Sequence, residues 1–438
     1  MGKRRVGITG LGVVTAAGVG IEPTFQSIQA GRQCVGEIGL FDASAFPCGI
    51  GGELADFSAR KFVPKSYRKS VKVMARDIEI AVVAAELAFR DAGIATRGTD
   101  DGEMSIAPKR LGCNIGAGLI CTDLDELGSA VNTAVNDGKF DLKLWGSSGM
   151  NNLTPLWLLK YLPNMLACHV TIIHGCEGPS NCITCGGAAG HLSIGEGARW
   201  ITRDAADVVI AGGAESKINP MGLMRQTLLG RVCTGRNDRP ADACRPFDAD
   251  HTGTVAGEGG GLVILEELTC AESRRAKIYA ELVGFGAACD PAGFDVMQRS
   301  AGSLDLAARK AIAEAGISPQ DIDLIVAHGT AVPGEDVCEA AAWRAVLGES
   351  GSDVPVVATT GAIGSLFAGA GGVELAVAAM AVSQQSVPQT VNFAKVADGC
   401  APLAVSSETR DAELKYVLTG AFSVGGQSAA CVLKRIES

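Results

Sequence analysis

No uninterrupted apolar run in the 438 residues is long enough to cross a bilayer, and the best stretch, Leu366 to Val382, is divided by Glu374. A membrane span is therefore not expected. The opening Met1-Gly2-Lys3-Arg4-Arg5 is basic, but a glycine-rich strand and turn follow in place of an apolar core and cleavage site. No secretory signal is expected either. Charged residues are scarce, at 20%, and the net charge of −10 gives no basic excess for a nucleic-acid partner. Without an export signal, the fifteen cysteines do not read as a disulfide framework. They read as reduced thiols, several of them filling core volume, in a cytoplasmic protein.

Two ligand-binding patterns are also incomplete. Gly10-Leu11-Gly12 begins a dinucleotide fingerprint, but Thr15 stands where the third glycine is needed. Cys168-His169 and His174-x-Cys176 place two thiols and two imidazoles within nine residues, which are ligands zinc favours. However, Leu166 to Ile173 reads as a helix end entering a strand. Neither a metal nor a cofactor is expected.

What the chain does have is apolar β-rich runs of five to eight residues alternating with longer helical patterns, and 57 glycines for tight strand-to-helix turns. This predicts an α/β protein with buried central strands. The two halves echo each other. Asn181 to Cys185 and the small-residue helix through Trp200 parallel Val356 to Thr360 and a helix from about Leu366 to Gln384; Val208 to Glu215 parallels Tyr416 to Ala421. A boundary falls near Leu268 to Arg275, where a charged helical stretch precedes a strand from Lys277 to Phe285, giving halves 1–268 and 269–438.

Five motifs carry a resemblance. Gly178-Pro179-Ser180 is followed by Asn181-Cys182-Ile183-Thr184-Cys185-Gly186-Gly187 and a helix start, Ala188-Ala189-Gly190. Arg4 to Gly12, Ala206 to Glu215, Arg245 to Asp250 with Gly257 to Gly261, and Ala327-His328-Gly329-Thr330 complete the set. Together they resemble the β-ketoacyl-ACP synthases, the condensing enzymes of fatty-acid and polyketide synthesis, across nearly the whole chain. The resemblance implies a thiolase-like fold, two pseudo-repeated βαβ-rich halves forming a layered α-β-α-β-α core, with the active-site groups where two helix ends meet.

The condensation needs a thiolate to hold the acyl chain, a helix N-terminus to depress its pKa, and donors for the enolate. The resemblance places Gly187 at the nucleophilic cysteine, so the thiol is missing. His328 keeps the first histidine and Glu339 the buried glutamate. In Thr359-Thr360-Gly361-Ala362-Ile363-Gly364-Ser365, Thr360 takes the place of the lysine and Ser365 that of the second histidine. In the gating loop Gly420 to Ser428, the second phenylalanine is replaced by Val424, while Thr330, Phe422 and Gly425 keep substrate-binding positions. The mid-chain substrate-loop histidine is absent from Cys289-Asp290-Pro291-Ala292-Gly293-Phe294. Losing this many groups with the scaffold kept points to an altered function. Glu339, without its lysine, should be repartnered, for instance by Thr360, or carry a raised pKa.

Cys185 is the challenger for nucleophile. In a helix, two residues back is a rotation of about 200°. In a strand it is the same face, roughly 6 to 7 Å along. A strand-to-helix turn leaves both readings open.

Residues 60 to 76 carry seven basic side chains and no acid. One reading is a solvated helix face. The other follows the resemblance: Lys65, Arg68, Lys69 and Lys72 would receive acidic acyl carrier protein. Three functions remain. One is a non-condensing partner subunit, like the chain-length factors that pair with a cysteine-bearing ketosynthase and shape its acyl tunnel. The others are a divergent acyltransferase or condensing enzyme working through Cys185 or His328, and a carrier-binding scaffold. The partner subunit is favoured, as a homodimer or heterodimer joined through Asn181 to Thr184.

Overall fold

The computed structural model of the protein describes residues 4–99, 103–291, 302–348 and 352–437. Ten strands form the central sheet among the described residues, with a short Gly18–Val19 strand beside them. They are β1 (Val6–Thr15), β2 (Leu111–Gly116), β3 (Ser180–Ile183), β4 (Val208–Ser216) and β5 (Glu258–Glu267), then β6 (Ala280–Cys289), β7 (Leu324–Ala327), β8 (Val356–Ala358), β9 (Tyr416–Phe422) and β10 (Gln427–Lys434). In space the order is β8-β7-β9-β10-β6-β1-β5-β4-β2-β3. Counted outward from the β6–β1 seam, each half runs first, fifth, fourth, second, third. Within each half the outer strands are parallel and the inner ones antiparallel. The internal echo of the sequence is thus one topology built twice.

Helices make this a five-layer stack. Helices α1 (Arg76–Asp91) and α2 (Met165–His174) cover the outer face of the first half, and α5 (Gly302–Ala315) and α6 (Pro333–Leu347) cover that of the second. Between the halves lie α3 (Ala189–Thr202) and α7 (Ala370–Gln384), each touching strands of both. A further helix, α4 (Pro220–Leu228), follows β4.

Thirteen of the fifteen residues of α7 are buried, which explains why its sequence is apolar or small nearly all round. The segment Phe367–Gln384 is apolar and long enough to cross a membrane, yet 89% of it is packed inside the fold. It is a core helix, and Leu375→Ala there should cost about 2–5 kcal/mol. Small residues also let backbones touch: a Cβ at Gly12 would lie 1.8 Å from the Ala84 carbonyl oxygen of α1, and one at Gly190 would lie 2.9 Å from the Gly372 nitrogen. The second contact joins the N-terminal ends of α3 and α7.

Four local expectations are corrected. Leu166 to Ile173 lies wholly inside α2; its β-branched run continues the helix, which Gly175 closes in the left-handed region at φ 71°. The helix expected from Leu366 begins at Ala370, after a 3₁₀ turn, Phe367–Gly369. The strand expected from Lys277 begins at Ala280. Residues 60 to 75 form no continuous helix but three short 3₁₀ turns, Ala59–Lys61, Lys65–Tyr67 and Ser70–Val73, because Pro64 interrupts the run and the apolar positions lack helical spacing.

Candidate functional site

The turn that connects β3 to α3 carries Gly187. Gly186–Ala188 is a 3₁₀ turn leading directly into α3. A Cβ built on Gly187 would stand 2.6 Å from the Phe422 carbonyl oxygen, 2.7 Å from His328 Nε2 and 3.1 Å from His328 Cε1. Real Cβ atoms do not approach so closely. The imidazole and the Phe422 backbone at the end of β9 therefore crowd the space a side chain at 187 would need.

His328 follows β7 at the end of the second-half sheet and is 3% exposed. Its Nδ1 is 2.8 Å from Glu374 Oε1, and its ring meets Phe422 edge-on at 5.6 Å. Burial opposes the imidazolium, but the carboxylates of Glu374, Glu339 and Glu335 outweigh it and hold the histidine pKa above its ordinary value. The Nε2 side faces Gly187.

Glu339, on α6, lies behind this turn rather than in the cavity. Its Oε1 accepts from the His328 N–H at 2.8 Å and from Trp343 Nε1 at 3.1 Å, and its Oε2 accepts from the Gly329 N–H at 2.8 Å. Burial still pushes this carboxyl up to about 7, against the pull of His328 and those two N–H groups. Thr360 is not its replacement donor; the Thr360 hydroxyl donates to the Gly329 carbonyl. Gly329 must be glycine, with φ 48° and its missing Cβ directed at Ala358. Thr330 is buried on the same turn and accepts from the Val332 N–H at 3.3 Å.

A cavity of about 610 Å³ opens in front of His328. It brings together Cys185, Gly187, His328, Ser365, Phe422, Val424 and Gly425, while Thr330, Glu339 and Thr360 are not on its wall. Ser365 is 1% exposed. Cys185 is half-buried at φ −133° and ψ 34°, beyond the end of β3 and before the helix, so neither a strand nor a helix sets its direction. Burial pushes its thiol above the ordinary value and Cys289 adds to this, so nothing here favours a thiolate. Ala292, Gly293 and Phe294 of the mid-chain loop lie outside the described residues.

Two residues of the site were not singled out from sequence. Glu374, fully buried in α7, supplies the carboxylate to His328 and leaves its Oε2 without a hydrogen bond. The signal was present, since a lone carboxylate inside an otherwise apolar run needs a partner. His191, on the first turn of α3, is fully buried with Nε2 3.1 Å from Thr419 Oγ1 and Nδ1 3.7 Å from Glu374 Oε2. Burial, with His328 close by, pushes it down to about 3, so it is neutral.

The basic segment divides in two. Lys65, Lys69 and Lys72 are exposed and Arg68 is half-buried, whereas Arg76 turns inward and grips the fully buried Glu258 with two bonds of 2.7 and 2.9 Å. Tyr67 ties these turns to α2 through its hydroxyl, 2.8 Å from His169 Nδ1. His174 Nδ1 is instead 2.8 Å from Thr96 Oγ1. Among the described residues no group of three or more His, Cys, Asp or Glu side chains could hold a metal.

Comparison with known proteins adds three findings. The chain matches the model of the β-ketoacyl synthase N-terminal domain over residues 3–271 and that of the C-terminal domain over 279–394. It is 32% identical over 435 residues to a 3-oxoacyl-[acyl-carrier-protein] synthase 2 of Synechocystis sp., covering 99% of each chain. Among solved structures it resembles the ishigamide ketosynthase/chain length factor (TM-score 0.84, 25% identity, 100% of both chains) and a β-ketoacyl synthase from Burkholderia phymatum (TM-score 0.85, 27% identity, 99% and 100%).

Proposed function

The chain belongs to the β-ketoacyl synthase family, and from that premise we propose that it is a non-condensing partner subunit, which binds acyl carrier protein and shapes the acyl cavity of a cysteine-bearing ketosynthase. One observation carries this reading. Gly187, where the family resemblance puts the nucleophile, carries no thiol, and a Cβ there would crowd the His328 imidazole and the Phe422 carbonyl.

The cavity in front of His328 supports a subunit that still receives a thioester chain, since a pure scaffold has no use for one of this size. Exposed Lys65, Lys69 and Lys72 offer an acidic carrier a cationic landing surface. Pairing is supported by β3, which closes one end of the sheet with no further strand beside it among the described residues. Its residues are exposed or half-exposed, so a second subunit could continue the sheet from Asn181 to Thr184.

The second reading, acyl transfer through Cys185, rests on that thiol reaching the same cavity wall. Intact-protein mass after incubation with an acyl-pantetheine thioester separates the two. We expect no adduct, together with co-purification of a cysteine-bearing ketosynthase; stoichiometric acylation of Cys185 would overturn the partner reading.

A further inference from the structure

The cavity has two poles. One is the Gly187, His328 and Phe422 cluster already described. The other is built from the end of β4, the loop after β2, and α4, and it is charged. Lys217, 7% exposed, pairs with Glu215 and donates to the Leu119 carbonyl at 3.0 Å. Arg231 is bound by Glu335 through two bonds of 2.7 Å and reaches Gln226 at 2.8 Å. Each of these buried cations thus has its carboxylate, as burial requires.

Arg225 does not. This half-buried guanidinium, on the last turn of α4, faces the same cavity. Among the described residues its guanidinium makes one hydrogen bond, from Nη1 to Cys121 Sγ at 3.4 Å, and no carboxylate lies within ion-pair distance of it. Of the lysine and arginine side chains on the cavity wall, Arg225 is thus the one with no carboxylate partner among the described residues, and most of its donors are unused there. Leu119, Leu229 and Phe367 line the same space with apolar surface. An apolar wall with a single uncompensated guanidinium matches a ligand that is apolar along its length and anionic at one end.

We propose that Arg225 forms an anion subsite in this cavity and that the acyl chain received there ends in a carboxylate, a dicarboxylic rather than a simple fatty acyl thioester. The inference rests on the reading above that a thioester chain occupies the cavity. A guanidinium can hold a carboxylate through two parallel N–H···O bonds, and a site built for that anion rejects a methyl terminus. A phosphate on the pantetheine arm presents similar chemistry, so the test must separate the two ends of the ligand.

Calorimetric titration of the full chain with matched S-acyl pantetheines does this, using succinyl against butanoyl, adipyl against hexanoyl, and suberyl against octanoyl. The wild type should bind the carboxylated member of at least one pair about tenfold more tightly, a gain typical of a charge-assisted bond. Arg225→Met should abolish that preference while leaving affinity for the uncharged member unchanged, which also shows that the variant is folded. Arg225→Lys should keep part of it. Equal affinity within every pair, or a preference that survives Arg225→Met, overturns the proposal. So does an Arg225-dependent gain for unacylated 4′-phosphopantetheine over pantetheine with no effect of the acyl terminus, since the anion would then be the arm's phosphate. If the uncharged thioesters bind and the carboxylate adds nothing, only the subsite fails. If no pantetheine thioester binds, the thioester cavity itself is refuted and the subsite with it.

Discussion

A thiol placed at residue 187, the nucleophile position that the family resemblance implies, should not be accommodated, and the reason can be worked from the distances around it. In Gly187→Cys the new Cβ would fall 2.6 Å from the Phe422 carbonyl oxygen and 2.7 Å from His328 Nε2, before any sulfur is placed. Neither neighbour is a flexible chain end. Phe422 is held in the β9–β10 pair, and His328 is held by Glu374 at 2.8 Å and, through its backbone, by Glu339 at 2.8 Å. Relief requires tenths of an ångström from packed backbone or rotation of the ring away from Glu374. Overpacking of this kind costs about 1–3 kcal/mol. Breaking the buried histidine–carboxylate bond would add about 1.5–3 kcal/mol. Gly187→Ala makes the same clash without a thiol and should lose nearly as much. Urea denaturation of both variants, with intact mass after exposure to an acyl thioester, tests this. If Gly187→Cys is as stable as the wild type and becomes acylated at residue 187, the claim that residue 187 has no room for a side chain is wrong.

Three other outcomes are expected. Glu374→Gln removes the carboxylate that most strongly offsets the desolvation of His328, so the histidine pKa, above its ordinary value in the wild type, should fall on NMR titration; an unmoved value would refute the pairing. Asp77, 4% exposed, is pushed by burial to about 7 against the attraction of Lys217. Its folded-state proton affinity exceeds its unfolded one, so its contribution to stability is full below about pH 4 and is lost as pH rises through about 7. Asp77→Asn should flatten the fall in urea midpoint across that window, and an identical slope would exclude the assignment. In the basic segment, Lys65→Glu with Lys69→Glu should abolish carrier binding and change stability by no more than about 0.5 kcal/mol. Arg76→Ala, which leaves buried Glu258 without its cation and with only the Leu54 N–H and Ser216 hydroxyl as donors, should cost about 3 kcal/mol. If both variants unfold equally easily, the division of the segment into docking and core cations is mistaken.

How legible all this was depends on the range of the forces involved. The alternation of apolar strands with helices and the repeated half are local patterns, and period and composition suffice to read them, whereas the meaning of the glycine at residue 187 comes from the family resemblance. That Arg76 belongs to the core while Lys69 belongs to the surface is not local. Arg76 finds Glu258 across 182 positions of chain, and no spacing rule connects them. Glu374 shows the same limit from the other side. Its sequence signal, a charge in an apolar run, asks for a partner but does not name one; α7 packed between two sheets decides that it is His328.

The sequence by itself therefore determined the α/β architecture and its internal duplication, because backbone period and glycine placement are properties of neighbouring residues; that Gly187 stands at a nucleophile position is what the family resemblance implies. Only the tertiary structure decided that a Cβ at residue 187 would meet His328 and Phe422, that Glu339 is satisfied by backbone N–H groups in place of Thr360, and that Arg225 has no carboxylate partner among the described residues. Those outcomes depend on how close helices and loops far apart in the chain come to one another, and van der Waals contact and ion pairing change sign over less than an ångström.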